Sequence, residues 1–92
     1  YAAEAAPLGL VHAVVPAGAL DDAVAAQLGA LGQGGPLAQA EAKALVREVT
    51  GRPPSEVAEE TAARIARVRV GAEAQAGLAA YFERRKPPWA AP

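Results

Sequence analysis

Ala76-Gly-Leu-Ala-Ala-Tyr-Phe-Glu-Arg-Arg-Lys-Pro-Pro-Trp89 is the stretch on which the reading of this chain turns. Small apolar residues give way to three consecutive cations, and two prolines follow. That order describes a helix whose last turn carries positive charge, where the macrodipole favours it, and which cannot run past Pro87. Three of the four aromatic residues of the chain, Tyr81, Phe82 and Trp89, fall here. Large rings concentrated beside cations mark a place where the protein docks or grips something.

Working outward from this tail, the pattern predicts a mainly α chain with about four helices and one short N-terminal strand. Ala2 to Leu8 is an alanine-rich turn or short helix ending at Gly9, and the β-branched run Leu10–Val15 between Gly9 and Pro16 has the character of a strand. The first long helix spans about Ala19 to Leu31, with Leu20, Val24, Leu28 and Leu31 at helical spacing and Asp21 and Asp22 in its first turn. Gly32-Gln33-Gly34-Gly35 breaks it, and Pro36 opens a helix to Val49 with Ala38, Ala42, Leu45 and Val49 along one face. Ser55 is a candidate cap for a helix from Glu56 to Val70, buried through Val57, Thr61, Ile65 and Val68, with Glu60 and Arg64 as a surface pair. The tail helix is expected over Ala72–Arg85, with Gln75, Leu78, Ala79 and Phe82 facing its neighbours.

Composition narrows the function classes. The 92 residues include 26 alanines but only eight leucines, nine valines and one isoleucine. Alanine contributes little transfer free energy when buried, and so short a chain encloses only a thin core. The helices therefore need a further body to pack against, either the rest of a longer chain or neighbouring subunits. The start at Tyr1 and the absence of Met carry the same expectation, a piece of something longer. No cysteine is present, which fits a reducing, cytoplasmic location. No apolar run is long enough for a membrane span. Net charge is −1 overall. Residues 1–42 hold four acids and no Lys or Arg, whereas residues 43–92 hold nine cations and six acids. An anionic ligand belongs on the second half, and the excess is too small for nucleic acid.

The chemistry inventory is short. One Ser, one His and no Cys do not assemble a nucleophile with its base. His12, inside the apolar run, is a strand-face side chain before it is a general base. Gly32–Gly35 lacks the Lys-Ser/Thr ending of a phosphate loop and follows a helix, so it is a helix–helix turn. Glu48, Glu73 and Glu83 lie on separate segments, with no pattern that brings two together for acid–base work. Scattered carboxylates and one His give no metal-ligand spacing. Arg84, Arg85 and Lys86 are the strongest candidates. They either compensate a helix C-terminus or clamp phosphate groups, with Arg able to hold a phosphate bidentately and Tyr81 or Phe82 beside it as a platform.

Three segments in order resemble the enoyl-CoA hydratase/isomerase (crotonase) superfamily. Gly9-Leu10-Val11-His12-Ala13-Val14-Val15-Pro16 is similar to that family's Gly-Leu-Val-X-X-Val-Val-Pro, followed by Leu20. Gly35-Pro36-Leu37-Ala38 with Ala42-Lys43-Ala44-Leu45 resembles its Pro-X-Ala and Ala-Lys-X-Leu segment. The tail is similar to the family's Glu-Gly-X-X-Ala-Phe-X-Glu-Lys-Arg-X-Pro-X-Trp ending, and its Arg-Lys-Pro-Pro-Trp form resembles methylglutaconyl-CoA hydratase-like members. Ala76 stands where the family often has Glu, Gly71 where Ser or Asp is common, and Arg84 where Lys is usual.

The resemblance implies a division at residue 16, with 1–16 ending a spiral core and 17–92 forming a helical trimerisation region that caps the CoA site. It implies acyl-CoA as substrate, coenzyme A entering as part of that substrate, and no prosthetic group. The partners implied are the remainder of the chain and neighbouring subunits, as a homotrimer or dimer of trimers. Arg84 matches the family position near the adenine and phosphate end of CoA, and Ile65 an apolar position in the same region. No catalytic residue is implied within these 92, since the glutamates and oxyanion amides of the family lie in the core. The other reading open at this point is an independent helical interaction module without CoA binding.

Overall fold

Proline and glycine punctuate the chain where the sequence leads one to expect it. The computed structural model describes residues 1–90, which are helical and, among the described residues, contain no strand. The chain divides into two units, Tyr1–Leu31 and Gly32–Pro92. In the first, α1 covers Ala2–Ala5, a 3₁₀ turn covers Ala17–Ala19, and α2 covers Leu20–Leu31. In the second, α3 (Pro36–Val49), α4 (Pro54–Arg69) and α5 (Ala72–Phe82) each pack against the other two.

The expected strand over Leu10–Val15 is absent. Gly9 N–H and Leu10 N–H bond back to the carbonyls of Ala6 and Ala5, both at 3.0 Å, closing the turn after α1. Residues 11–16 then run irregularly to the 3₁₀ turn. The physical reason is the one that makes any lone strand unstable: its ladder groups have no second extended segment to pair with among the described residues. His12 and Val15 instead line a shallow groove with Leu20, Val24, Leu28 and Leu31, the apolar stripe foreseen for α2. That stripe stays largely exposed.

In the second unit the helix starts use proline at the first turn, where its missing N–H leaves no bond unmade. Pro36 opens α3 and Pro54 opens α4, so the cap position of α4 falls on Pro53, not on Ser55. Between α3 and α4, Thr50 (φ −58°, ψ 126°) and Gly51 (φ +79°) form a type II turn closed by Arg52 N–H on Val49 O at 3.0 Å. Only glycine adopts that second dihedral without steric cost. Gly71 starts α5 within two residues of the end of α4. Gln75, expected on the apolar face, lies outside and donates to Arg69 O at 2.8 Å, satisfying one of the orphan carbonyls of α4.

The packed faces agree only in part with the ones the apolar residues suggested. On α4 the inward stripe is Val57, Thr61, Arg64 and Val68, with Val57 8% exposed, while Ile65 is 64% exposed. On α5 the fully covered residue is Ala80, at 1% exposure, whereas Phe82 is 78% exposed. On α3, Ala38 and Ala42 are exposed and Glu41, Ala44, Leu45 and Val49 are partly covered. Small residues let helix backbones approach closely, and here they, with Arg64 and Glu41, take the contact positions. Leu37, Ile65, Tyr81 and Phe82 are turned outward. The tail helix also ends three residues earlier than expected, at Phe82 in place of Arg85.

Candidate functional site

A concavity of the second unit lies between α3, α4, α5 and the side chain of Trp89. It is an open groove of about 900 Å³. Its floor is made of small and apolar residues, among them Ala40, Ala44, Val68 and Leu78, and its charged groups come from three helices.

Arg64 is the centre of the charged layer. Its guanidinium reaches from α4 to two carboxylates one helical face apart on α3, donating to Glu41 at 2.9 Å and to Glu48 through its other terminal nitrogen. Residues seven apart lie on one face of a helix, so the two acids bracket one guanidinium. Arg67, one turn along α4 on an adjoining face, adds a second contact to Glu41 at 3.4 Å. The Arg64 side chain is 14% exposed. Its pKa is raised above the ordinary guanidinium value, chiefly by the hydrogen bond to Glu48, with the charges of Glu48 and Glu41 adding to it against partial desolvation. The expected Glu60–Arg64 surface pair does not form. Arg64 turns inward, and Glu60 accepts from Arg52 at 3.0 Å.

At the start of α3, Glu73 supplies a cap from a different helix. Its two oxygens accept from Leu37 N–H at 2.9 Å and Ala38 N–H at 2.8 Å. Those are orphan donors of α3, and a carboxylate there also meets the positive end of the helix dipole. Gly35 is buried against this cap, and a Cβ at that position would fall 2.8 Å from Glu73 Cδ. The Gly32–Gly35 turn is thus a helix–helix connection whose anion is the chain's own side chain.

The tail folds back on the same corner. After Phe82 the chain reverses through Arg84, whose φ of +54° is left-handed. Arg84 N–H bonds to Tyr81 O at 3.1 Å and Arg85 N–H to Ala80 O at 2.9 Å, the two bonds of a Schellman motif. Glycine usually holds the left-handed position, and arginine there costs about 1 kcal/mol. Pro87-Pro88 then brings Trp89 over α5, where its Cη2 lies 2.9 Å from the place a Cβ on Gly77 would occupy. The indole N–H donates to Gln33 O at 3.1 Å.

The candidates from the sequence fall as follows. Glu48 and Glu73 both line the groove, but each is engaged, with Arg64 and with the start of α3 respectively. Glu83 pairs with Arg85 beyond the groove. Neither Arg84 nor Ile65 is among the groove-lining residues, and Arg84 projects from the turn after α5 with its side chain exposed. Tyr81 and Phe82 form an edge-to-face pair with centroids 5.6 Å apart, both exposed. His12 belongs to the groove of the first unit. Among the described residues no cluster of three potential metal ligands exists, and no helix is long and apolar enough to cross a membrane. As arranged, the groove offers charge and shape for binding, not a free pair of carboxylates for proton transfer.

Sequence reasoning missed Arg64 as a hub, the Glu73 cap and the Trp89–Gly77 contact. Glu41 and Glu48, seven apart on an alanine-rich helix, were a legible sign of a cation opposite. Nothing local announces the other two: the Glu73 cap joins residues 35 and 36 positions apart, and the Trp89–Gly77 contact joins two stretches of chain across Pro87-Pro88.

The family model described as enoyl-CoA hydratase/isomerase matches residues 1–92. Searches of curated proteins and of solved structures find no match.

Proposed function

The chain belongs to the enoyl-CoA hydratase/isomerase family, and from that premise we propose that it is the helical C-terminal part of an acyl-CoA-acting, cytoplasmic subunit. In this reading residues 1–16 close the spiral core and residues 17–92 form the region that assembles subunits and caps the CoA site. The observation that carries it is the family match over the whole chain, with its cations gathered in the second half and three of them consecutive after the last helix.

Arg84 is the residue we assign to the phosphate or adenine end of CoA, with Ile65 in the apolar lining nearby. Two features support the assignment. The Arg84 side chain is exposed on a turn held by two backbone bonds, and Ile65 is a large aliphatic side chain left outside the helix packing. An exposed apolar residue needs a partner surface or a ligand to cover it. Within the family we place the chain nearest methylglutaconyl-CoA hydratase-like members, on the Arg85-Lys86-Pro87-Pro88-Trp89 ending. The bond chemistry belongs to residues outside these helices, because Glu48 and Glu73 are committed to Arg64 and to the start of α3.

The test is kinetic. In a subunit with the complete site, Arg84→Ala raises KM for acyl-CoA roughly two- to tenfold, which is about 0.5–1.5 kcal/mol, and leaves kcat nearly unchanged. A contact remote from the reacting carbons is made in ground and transition states alike. Added salt narrows the difference. An unaltered KM at low ionic strength returns Arg84 to a role at the helix end. The 92-residue chain alone is expected to leave crotonyl-CoA unhydrated, and measurable turnover would overturn the division of labour.

A further inference from the structure

Local sequence and tertiary contact disagree over the last turn of α5. Glu83, Arg84, Arg85 and Lys86 are all competent helix formers, and on local grounds the helix runs to Arg85, since only the residue before Pro87 is pushed out of the helical region. The structure ends it at Phe82 and places Arg84 at φ +54°.

Trp89 makes contacts that set themselves against the propensity. Gly77 lies five residues before Phe82, about 7.5 Å back along the helix axis. A helix continued through Arg85 would carry Pro87-Pro88-Trp89 onward, away from Gly77. Only a reversal at Arg84 brings the indole back onto the glycine and its N–H to Gln33 O at 3.1 Å.

We infer that Arg84–Trp89 is a two-state strap. When Trp89 is docked on Gly77 and Gln33, α5 stops at Phe82 and Arg84 is held left-handed. When Trp89 is released, α5 extends through Arg85 and the cations rotate onto a helical surface. The two states differ in which contact is kept, the indole dock or three residues of helix, and anything that binds one form better shifts the balance. This inference does not depend on what Arg84 binds.

The experiment uses the chain's single tryptophan as a reporter. Gly77→Ala places a methyl group 2.9 Å from Trp89 Cη2 and at the same time favours the helix. The expected result is a red shift of Trp89 emission together with medium-range helical NOEs running through Arg85, neither present in the parent chain. Adding Arg84→Gly, which relieves the left-handed turn and weakens the helix, should abolish the extension. Trp89→Ala is the second variant and should show the same helical NOEs. Unchanged emission in Gly77→Ala, or a red shift with Arg84 still left-handed, overturns the strap. Loss of the folded helices in both Gly77→Ala and Trp89→Ala also overturns it, because the indole would then be core and not a latch.

Discussion

At the residue scale the corner where α3 begins is held by a side chain of another helix. Glu73 satisfies two backbone donors 35 and 36 residues away in sequence. Glu73→Ala should cost about 1 kcal/mol in urea denaturation, the size of a lost N-cap. Gly35→Ala should cost a similar amount by displacing the carboxylate, and the double variant should cost less than the sum, because both remove one interaction. Full additivity would mean that Gly35 acts through something else. Arg64 makes a second test. Replacing it with Met strips Glu48 of its cation and leaves Glu41 with only the longer contact to Arg67, and should lower the denaturation midpoint. Lys restores only part, because an ammonium cannot present two fixed donors to two acids. The raised pKa of Arg64 gives stability that is fully present below the ordinary guanidinium range and lost only as pH rises through the higher folded value. Its contribution is therefore flat through neutral pH.

At the element scale the boundaries separate cleanly by cause. Pro36, Pro54 and Gly71 start α3, α4 and α5 within a residue or two of where the sequence places them, because missing donors and free dihedrals act locally. Gly51 is the clearest case. Nothing lies within 4 Å of a Cβ built there, yet its φ is +79°, so Gly51→Ala should cost about 1 kcal/mol through conformation alone. Differential scanning calorimetry would register this as a lower midpoint with helix content unchanged. An unchanged midpoint would mean that the turn relaxes to another type. Helix faces were less legible. Of the stripe expected on α4, Val57 is covered and Thr61 and Val68 partly so, but Ile65 is exposed, and on α5 Phe82 is exposed; Arg64 and Ala80 hold positions that pack instead.

At the scale of the whole molecule, burial is sparse. Val57 and Ala80 are the only hydrophobic residues covered to core level among the described residues, while Leu20, Leu28, Leu37, Ile65, Tyr81 and Phe82 stand exposed. Apolar surface of this kind marks partner faces. Sedimentation at concentrations on the order of 10 µM should therefore give a mass above the 9.3 kDa of one chain, rising with concentration. Ile65→Ser and Phe82→Ser should lower it. A well-folded monomer at all concentrations would show that these faces await a partner other than a second copy.

Read alone, the sequence determined the helical class, the order of the long helices, the proline start of α3, the charge division and the family to which the tail and the Gly9–Pro16 segment point. These are local signals: periodicity, missing donors, φ preferences and short motifs act over a few residues. The tertiary structure decided that Leu10–Val15 is not a strand, that Arg64 turns inward while Ile65 stays out, that Glu73 caps another helix, and that α5 stops at Phe82. The first three turn on a partner distant in the chain, a ladder strand that is lacking among the described residues or a carboxylate or helix start that is present, and for the last we infer the indole dock on Gly77 and Gln33. Local propensities differ by only about 1 kcal/mol or less per residue, so one tertiary hydrogen bond or one packed indole is enough to overrule them.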